Sequence, residues 1–396
     1  MTKPHRVLFV SHSPLLYGAE RSLLSLVEAL QQMTEYSPVV LLPARGAFQQ
    51  RLETIGVEVI VHPYFWWITS EKKRLLSLTG CSLNRLLAKL FIARHSSLQI
   101  DLIYSNSLAT PFGAYLAELL SIPHVWHFRE FVYEDLNFVF TLGDQQSANF
   151  IKRTTHKVVC NSEEVRRRLA NRWGIMGAEV IYNGFDFSVY KQLKPHEHHQ
   201  SVQPGQPVEL LILGRVHENK GQITAIRAVA ELKRRGRHVR LTIVGKGSRA
   251  YLMELHALCK SSSLVKEVRF VGAAAEPLPY FQDASITLVC SHLEAFGRVA
   301  VEAMAMGCPV IAASSGGLQE IVTSNKTGLL YDTGDHISLA NAVEKLIENP
   351  QLFDSVAAEA MYSARERFSL QKTVSATASM ISFLIHERSR TQERPL

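Results

Sequence analysis

Patterns that form disulfides or bind metals are scarce in this sequence of 396 residues. Its five cysteines are scattered and none stands in a CxxC pair, and no DxD triplet marks a Mg²⁺ or Mn²⁺ diphosphate site. Five isolated thiols are typical of a reducing compartment rather than of a disulfide framework or a zinc site. We therefore expect a cytoplasmic protein, and no feature of the sequence calls for a metal or a cofactor.

Long apolar runs are also missing from the sequence. No stretch approaches the ~18 apolar residues that a membrane-spanning helix needs. The only apolar run near the N-terminus is VLFV, so we expect no secretory signal peptide. With 46% hydrophobic and 20% charged residues, the chain has the composition of a globular protein, and its length predicts two domains.

The charge balance is basic, with a formal net charge of +7. This excess favours an acidic partner. Nucleic acid is not expected, because no dense basic patch with stacking aromatic residues is visible. Phosphorylated small molecules and anionic membrane surfaces both stay open, since net charge does not choose between them.

Apolar strands alternate with amphipathic helices in two series. The first runs from RVLFV to VIYNGFD, and the second begins at VELLILG. Continuous apolar strands in this alternation predict parallel sheets with helices on both faces. Between the series, residues 191–207 are polar, rich in proline and histidine, and without periodicity, which predicts a linker.

We therefore predict an α/β fold of two doubly wound, Rossmann-like domains facing a central cleft, the usual place for a ligand. The N-terminal domain is expected over residues 1–190 and the C-terminal domain over residues 208–370. A last amphipathic helix, at about 371–390, is expected to pack back on the N-terminal domain.

Two helix ends have local signals. Asn161 with Glu164 three residues later predicts an N-cap. Gly236 follows three basic residues and predicts the C′ position of a helix that starts at Gln222.

Two glutamates, Glu294 and Glu302, stand in the stretch HLEAFGRVAVE. In one unbroken helix they would lie roughly 12 Å apart along the axis and roughly 80° apart around it. That is wider than the ~5–9.5 Å between working carboxylates in glycosidases. Gly297 predicts that a helix starts only near Arg298, which puts Glu294 on a loop and Glu302 on the first helical turns, where anions bind. A solvated Glu294 and a half-buried Glu302 explain the spacing equally well.

Basic residues follow another predicted strand, in LGRVHENKG. Arg215 can grip a phosphate with two hydrogen bonds and Lys220 can add a point charge, a pair suited to a diphosphate. Basic loop residues are more often simply solvated, and the Walker A spacing is missing.

Three weaker candidates remain. Gly18 precedes a helix where the backbone could approach a phosphate, although a plain turn is the commoner reason for such a glycine. His127 ends a strand in HVWHFREF, where histidine is more often structural than catalytic. The tract HEHH at 196–199 suggests a metal site but lies in the predicted linker, which favours solvent exposure; no GxGxxG supports a nicotinamide site.

Taken in order, these segments resemble the retaining GT-B glycosyltransferases of family 4. The run from Glu294 to Glu302 matches the E-x₇-E signature of that family. The other matching segments are YGAE, HFRE, VVCNSEEVRRRL, VIYNGFD, LGRVHENKG, LTIVGKG and FVG. The resemblance covers most of the chain and rests on the order and spacing of the segments.

The resemblance implies a site for a nucleotide-sugar donor. It implies that Arg215 and Lys220 hold the diphosphate and that Glu302 accepts hydrogen bonds from the ribose hydroxyls. It implies that Glu294 positions the donor sugar together with the backbone at the helix start. The residues of that helix start are Phe296, Gly297, Arg298 and Val299.

Two positions in the N-terminal domain are also implied by the resemblance. Gly18 would let the backbone meet the diphosphate, and His127 would lie near the reacting sugar. His127 is carried over less securely, because that segment varies within the family.

The implied activity is retaining, metal-independent transfer of a glycosyl unit from a UDP- or GDP-sugar to a hydroxyl acceptor, as in polysaccharide, glycolipid or glycoconjugate synthesis. Arg215 and Lys220 would stabilise the departing diphosphate where other glycosyltransferases use a metal. A catalytically inactive sugar-nucleotide-binding scaffold and a GT-B sugar-nucleotide 2-epimerase are the alternatives. The base, sugar, acceptor and oligomeric state stay open.

The acceptor side is addressed only by residues 64–94. This segment combines Trp66 and Trp67 with a leucine-rich stretch that has many basic and few acidic residues. Such a segment can lie on an anionic membrane or bind a lipid-linked acceptor, which would place the protein on the inner membrane face. A helix packed on the domain with a solvated basic face is at least as good an interpretation.

Overall fold

The computed structural model describes residues 3–133, 137–191, 206–274 and 276–392. Two compact units divide the chain: unit 1 holds residues 1–185 and 370–396, and unit 2 holds residues 186–369. The HEHH tract and most of the predicted linker lie outside the described residues.

Unit 1 is built on a seven-stranded parallel sheet with the order β3-β2-β1-β5-β6-β8-β9, and β4 pairs with β7 in a separate antiparallel pair. Its strands are β1 (His5–Val10), β2 (Tyr36–Leu42), β3 (Glu58–Val61), β4 (Ile68–Ser70), β5 (Leu102–Ser105), β6 (His124–Phe128), β7 (Phe138–Phe140), β8 (Lys157–Cys160) and β9 (Glu179–Val180). Its helices, labelled in chain order, are α1 (Gly18–Gln31), α2 (Ala47–Thr54), α3 (Arg74–Arg94), α4 (Phe112–Leu120), α5 (Asp144–Thr154), α6 (Glu163–Trp173) and α15 (Leu370–Gln392).

The β1 strand explains why the strands read as unbroken apolar runs. Successive side chains of a strand point to opposite faces of the sheet. Val7 and Phe9 lie in a core with residues of α1 and α15, whereas Leu8 and Val10 lie in a second core with residues of α3 and α4. Because helices cover both faces, the four consecutive residues from Val7 to Val10 are all buried.

The C-terminal helix belongs to unit 1. Ile381 and Leu384 of α15 lie in the same core as Val7 and Phe9 of β1. The Tyr36 hydroxyl donates a hydrogen bond of 2.9 Å to the backbone oxygen of Ala378.

Unit 2 is built on a six-stranded parallel sheet with the order β12-β11-β10-β13-β14-β15. Its strands are β10 (Val208–Leu213), β11 (Val239–Val244), β12 (Val268–Gly272), β13 (Ile286–Val289), β14 (Val310–Ala313) and β15 (Leu329–Tyr331). Its helices are α7 (Ser188–Lys191), α8 (Gln222–Arg234), α9 (Arg249–Ser261), α10 (Leu278–Asp283), α11 (Arg298–Ala305), α12 (Leu318–Ile321), α13 (His336–Glu348) and α14 (Pro350–Arg367). The prediction of two α/β domains with parallel sheets is confirmed.

Both large sheets reverse their winding direction once. In unit 1 the chain goes from β1 outward to β3 and then returns to continue at β5, on the other side of β1. In unit 2 it goes from β10 outward to β12 and continues at β13, on the other side of β10. Ligands of these folds bind at the carboxyl edge of the sheet beside such a switch point, near the loops after the two central strands.

Two predictions about helix ends have different outcomes. Gly236 follows α8 with a φ of 77°, a left-handed conformation that suits the predicted C′ glycine. The predicted N-cap Asn161 is wrong by one residue: the side chain of Ser162 accepts the hydrogen bond from the Val165 amide. The side-chain amide of Asn161 instead donates to the backbone oxygen of Arg129, a long-range partner that local sequence does not reveal.

The sequence analysis found no apolar run long enough to span a membrane, and this expectation is wrong when the mean hydropathy of whole helices is used instead of unbroken runs. The helical segment Glu71–Arg94 is long and apolar enough to do so by length and composition alone, with a mean hydropathy of 1.3. Its leucines compensate for the interspersed Arg85 and Lys89, which interrupt the apolar run in the sequence. Most residues in the apolar part of this segment are not buried in the protein.

Candidate functional site

Lys220 is positioned by the loop that follows β10. It ends a short 3-10 turn, Glu218–Lys220, and the next residue, Gly221, has a φ of 66°. A Cβ atom at Gly221 would collide with the backbone oxygen of Cys290, which follows β13. Glycine at this position therefore lets the two loops on either side of the switch point come into contact. Arg215, in the same loop, is exposed.

Glu294 lies on the loop after β13 and is paired with Lys220. The Nζ atom of Lys220 donates to Oε2 of Glu294 at 2.6 Å, and the Ser291 hydroxyl donates to the same oxygen at 2.9 Å. The Lys220 and Glu294 side chains are 26% and 20% exposed, so both stay accessible to a ligand. The pair joins the loops of the two strands that flank the switch point.

The backbone of Glu294 is held by the loop after β14. The amide of Gly317 donates to the backbone oxygen of Glu294 at 2.8 Å. Gly316 has a φ of 53°, and a Cβ atom there would collide with that same oxygen. The Ser315 hydroxyl donates to the backbone oxygen of Ser291 at 2.9 Å. Three consecutive small residues thus fix the loop that presents Glu294.

Glu302 lies on α11, which starts at Arg298 as predicted. The preceding Gly297 has a φ of 106°, and a Cβ atom there would come within 2.6 Å of the Leu318 side chain. Nη2 of Arg298 lies 3.2 Å from Oε1 of Glu302, one turn along the helix. Phe296 is buried with its ring edge-on to Phe368, at 5.6 Å between centroids.

The prediction that Glu294 and Glu302 lie on different elements is therefore confirmed. The two carboxylates are each paired with a different cation, so they do not form an acid/base dyad in this arrangement. Half-buried Val299 completes the first turn of α11, where backbone N–H groups lack partners within the helix. Among the described residues, no group of three or more histidine, cysteine, aspartate or glutamate side chains is arranged to hold a metal.

In unit 1, polar residues gather where β1, β5 and β6 end. The centre of this group is the buried Arg129, whose Nε donates to Oδ1 of Asn106 at 2.8 Å and whose Nη1 donates to Oδ1 of Asn183. These two side-chain amides orient the buried guanidinium. Gly18, the first residue of α1, follows the loop after β1.

His127 is the second-to-last residue of β6 and is buried. Its Nδ1 is 2.6 Å from the Tyr104 hydroxyl, and its Nε2 has no hydrogen-bond partner among the described residues. Burial, and then the charge of Arg129, lower the pKa of His127 well below its usual value, so the ring is neutral. Its place near a reacting sugar stays a prediction.

A buried carboxyl next to this group was missed by the sequence analysis. Glu20 of α1 is completely buried, and its Oε1 lies 3.2 Å from Nδ1 of His12. Burial raises the pKa of Glu20 to about 7 and lowers that of His12 to about 4. A signal was present, because Glu20 falls on the same face of the helix as Leu23 and Val27.

Comparisons with known proteins agree with this two-part organisation. A family model described as "Glycosyltransferase Family 4" matches residues 17–189, and one described as "Glycosyl transferases group 1" matches residues 194–366. Curated relatives include a D-inositol 3-phosphate glycosyltransferase of Nocardioides, 30% identical over 64% of this chain, and a glycogen synthase of Mycobacterium tuberculosis, 32% identical over 48%. The chain spans 57% of the first relative's length and 45% of the second's.

A solved structure matches nearly the whole chain. HepE from Anabaena, crystallised with UDP, is 26% identical and has a TM-score of 0.77. The match covers 96% of this chain and all of that one. Crystal structures of the same protein contain UDP-glucose, or UDP with glucose.

Proposed function

Because the chain belongs to the GT-B glycosyltransferases of family 4, we propose that it transfers a glycosyl unit from a nucleotide sugar to a hydroxyl acceptor. The observation that carries the proposal is the ion pair between Lys220 and Glu294 at the switch point of unit 2. It offers a cation for a diphosphate and a carboxylate for sugar hydroxyls side by side.

For the donor we propose a UDP-sugar. HepE matches this chain over its whole length and binds UDP and UDP-glucose in crystals. The E-x₇-E segment lies where a diphosphate would meet the loops after β10 and β13. Lys220 and the exposed Arg215 supply two positive charges there, and the first turn of α11 supplies backbone N–H groups.

We assign separate roles to the two glutamates. Glu294 accepts hydrogen bonds from the donor sugar, since it lies next to the cation that holds the diphosphate. Glu302 accepts hydrogen bonds from the ribose, and Arg298 fixes the orientation of its carboxylate. Phe296, Gly297 and Val299 hold the helix start in place. Both carboxylates act as positioning groups, which reduces the entropy cost of reaching the transition state.

The proposed reaction proceeds with retention and without a metal. The bond between the anomeric carbon and the diphosphate oxygen breaks, and Lys220 and Arg215 stabilise the charge that develops on the diphosphate. The acceptor oxygen forms its bond from the same face, and its proton passes to the departing diphosphate. Gly18 and His127 of unit 1 are proposed to face the diphosphate and the reacting sugar.

A thermal-shift assay with the full chain tests the donor assignment. UDP is expected to raise the melting temperature, while GDP and ADP at equal concentration are not. A Lys220→Ala variant should lose the shift caused by UDP. If GDP or ADP stabilises the protein as well as UDP does, the donor assignment is wrong.

Hydrolysis of UDP-glucose tests the reaction class without knowledge of the acceptor, because water can replace it. NMR should detect α-glucose before it equilibrates, and EDTA should leave the rate unchanged. β-Glucose as first product would refute retention, and a rate restored only by Mg²⁺ would refute metal independence. Binding of UDP without turnover under any acceptor would identify the inactive scaffold, and a C2-epimerised sugar would identify the epimerase.

A further inference from the structure

One face of α3 exposes a row of leucines to solvent. The leucines in question are Leu75 (81% exposed), Leu76 (78%), Leu83 (44%), Leu86 (53%) and Leu90 (52%). The buried residues of the same helix are Cys81, Asn84, Ala88 and Phe91. Monomeric proteins rarely expose a contiguous apolar patch of this kind without a partner for it.

The leucines lie along one face of the helix, with the exposed Thr79 between Leu76 and Leu83. At 100° per residue they fall within an arc of about 100° on the helix surface, roughly opposite the buried residues. From Leu75 to Leu90 the ridge is about 22 Å long, at 1.5 Å per residue. We call this surface the leucine ridge. A straight ridge along a helix matches a flat partner better than a small ligand.

Basic residues border the ridge on several sides. Residues 71–94 contain six lysines and arginines and one acidic residue, Glu71. Lys72 and Lys73 lie at the N-terminal end of the ridge, Lys89 lies along its side, and Arg94 lies at its C-terminal end. Long basic side chains can insert their methylene groups beside an apolar surface while their charges reach anionic groups.

One exposed aromatic residue, Phe65, packs against α3. It is 43% exposed, whereas the neighbouring Trp66 packs on the ring of His12. The Phe65 ring lies against Gly80, where an added Cβ atom would be 3.0 Å from it. The buried Asn84 amide holds the segment by bonding the backbone nitrogen and oxygen of Phe65, at 2.9 and 3.0 Å. Large aromatic side chains favour the interface between lipid and water.

From these contacts we propose that the leucine ridge seats the protein on the surface of an anionic lipid bilayer. Leucines enter the boundary between headgroups and acyl chains, and the surrounding lysines and arginines contact lipid phosphates. The helix lies on the membrane rather than crossing it, because Asn84 and Phe91 on its other face are buried in unit 1. This inference goes beyond the proposed function and does not depend on it.

A second copy of the chain is the competing partner. Leu76, Leu83 and Leu90 are seven residues apart, which is also the spacing of a helix pair. Two such faces would, however, bring their basic borders together, and the segment carries one acidic residue to compensate six basic ones. An anionic lipid surface would both bury the leucines and compensate the positive charges.

Flotation of the full chain with vesicles tests the proposal. The protein should float with vesicles of phosphatidylglycerol and phosphatidylcholine in equal parts and stay unbound with phosphatidylcholine alone. The combined variant Leu76→Gln, Leu83→Gln and Leu86→Gln should lower the partition coefficient about a hundredfold. Lys72→Gln with Lys89→Gln should lower it about thirtyfold, and added salt should have a similar effect.

A matched control removes three exposed apolar side chains elsewhere, with Met176→Gln, Met253→Gln and Val265→Gln. It should float like the wild type, and circular dichroism should show the same fold for every variant. Failure of the wild type to float on the anionic vesicles would overturn the proposal, as would flotation of the leucine variant at the wild-type level. A dimer that the leucine variant abolishes, without flotation of the wild type, would assign the ridge to a second copy instead.

Discussion

The pair of Lys220 and Glu294 leads to a prediction in which two substitutions have opposite effects on one ligand. Without ligand, the Lys220 ammonium donates to Glu294 at 2.6 Å. With a donor bound, the proposed function gives Lys220 a contact to the diphosphate and leaves Glu294 to the sugar. UDP therefore competes with Glu294 for Lys220, whereas UDP-glucose gives each of the two residues a contact of its own.

The magnitudes follow from the type of each contact. A hydrogen bond to a charged group contributes about 1.5–3 kcal/mol, so Lys220→Met should weaken UDP binding roughly 10- to 150-fold. A partly exposed ion pair contributes about 0–1 kcal/mol, so Glu294→Gln should leave UDP affinity unchanged or raise it by a factor of up to about 5. The same Glu294→Gln variant should weaken UDP-glucose binding roughly tenfold, since a neutral amide with one acceptor oxygen replaces the charged carboxylate that accepts from the sugar hydroxyls.

Isothermal titration calorimetry of both variants with UDP and UDP-glucose measures these effects. Lys233→Met is the matched control, because Lys233 also pairs with a glutamate, Glu267, at 2.5 Å in unit 2. This control should bind both ligands like the wild type. If Glu294→Gln weakens UDP as much as Lys220→Met does, the division of roles between the two residues is refuted.

Three further predictions concern backbone fit, buried charge and acid stability. Gly316→Ala should lower UDP-glucose binding and destabilise unit 2 by about 1–3 kcal/mol in urea unfolding, because its φ is 53° and its Cβ would collide with the Glu294 backbone; wild-type stability would contradict this. The pKa of Glu20 in the folded protein is raised to about 7, so the wild type loses stability as pH rises from about 4.5 through 7. The free energy of unfolding of Glu20→Gln should therefore exceed that of the wild type by up to about 3 kcal/mol more at the top of this pH range than at its bottom. Unfolding can be followed by the fluorescence of the four tryptophans, which all lie in unit 1, and a difference that does not change with pH would contradict the prediction. His124 is buried with its pKa lowered to about 3, so the stability that the neutral ring contributes is present above pH 6.5 and is lost as pH falls. Between pH 7.5 and pH 5 the free energy of unfolding of His124→Gln should fall by about 2 kcal/mol less than that of the wild type, and an equal fall would contradict this.

The fold could be predicted because its signal is repeated at every strand. Helices cover both faces of the sheets, so each central strand is a continuous apolar run, as with β1. The separation of Glu294 from Glu302 was also predictable, because Gly297 adopts a φ that an L-residue avoids and so marks the start of α11.

Contacts between distant segments were not predictable in the same way. Lys220 and Glu294 are far apart in sequence, and their contact depends on Gly221 letting two loops approach closely. Asn161 has the right side chain for an N-cap, but Arg129 offers its carbonyl oxygen, and Ser162 caps the helix instead. Counting uninterrupted apolar residues failed for α3 for a different reason, because Arg85 and Lys89 interrupt the run although the mean hydropathy of the segment is high enough for a membrane span.

The position of α15 has a consequence for how the protein is made. Unit 2 is inserted into unit 1, because unit 1 takes its last helix from residues 370–396. Domains at the N-terminus commonly fold first during synthesis. Here the core around Val7 lacks Ile381 and Leu384 until α15, which follows unit 2, has been translated. Unit 2 therefore leaves the ribosome while the unit begun before it still exposes the surface that α15 will cover.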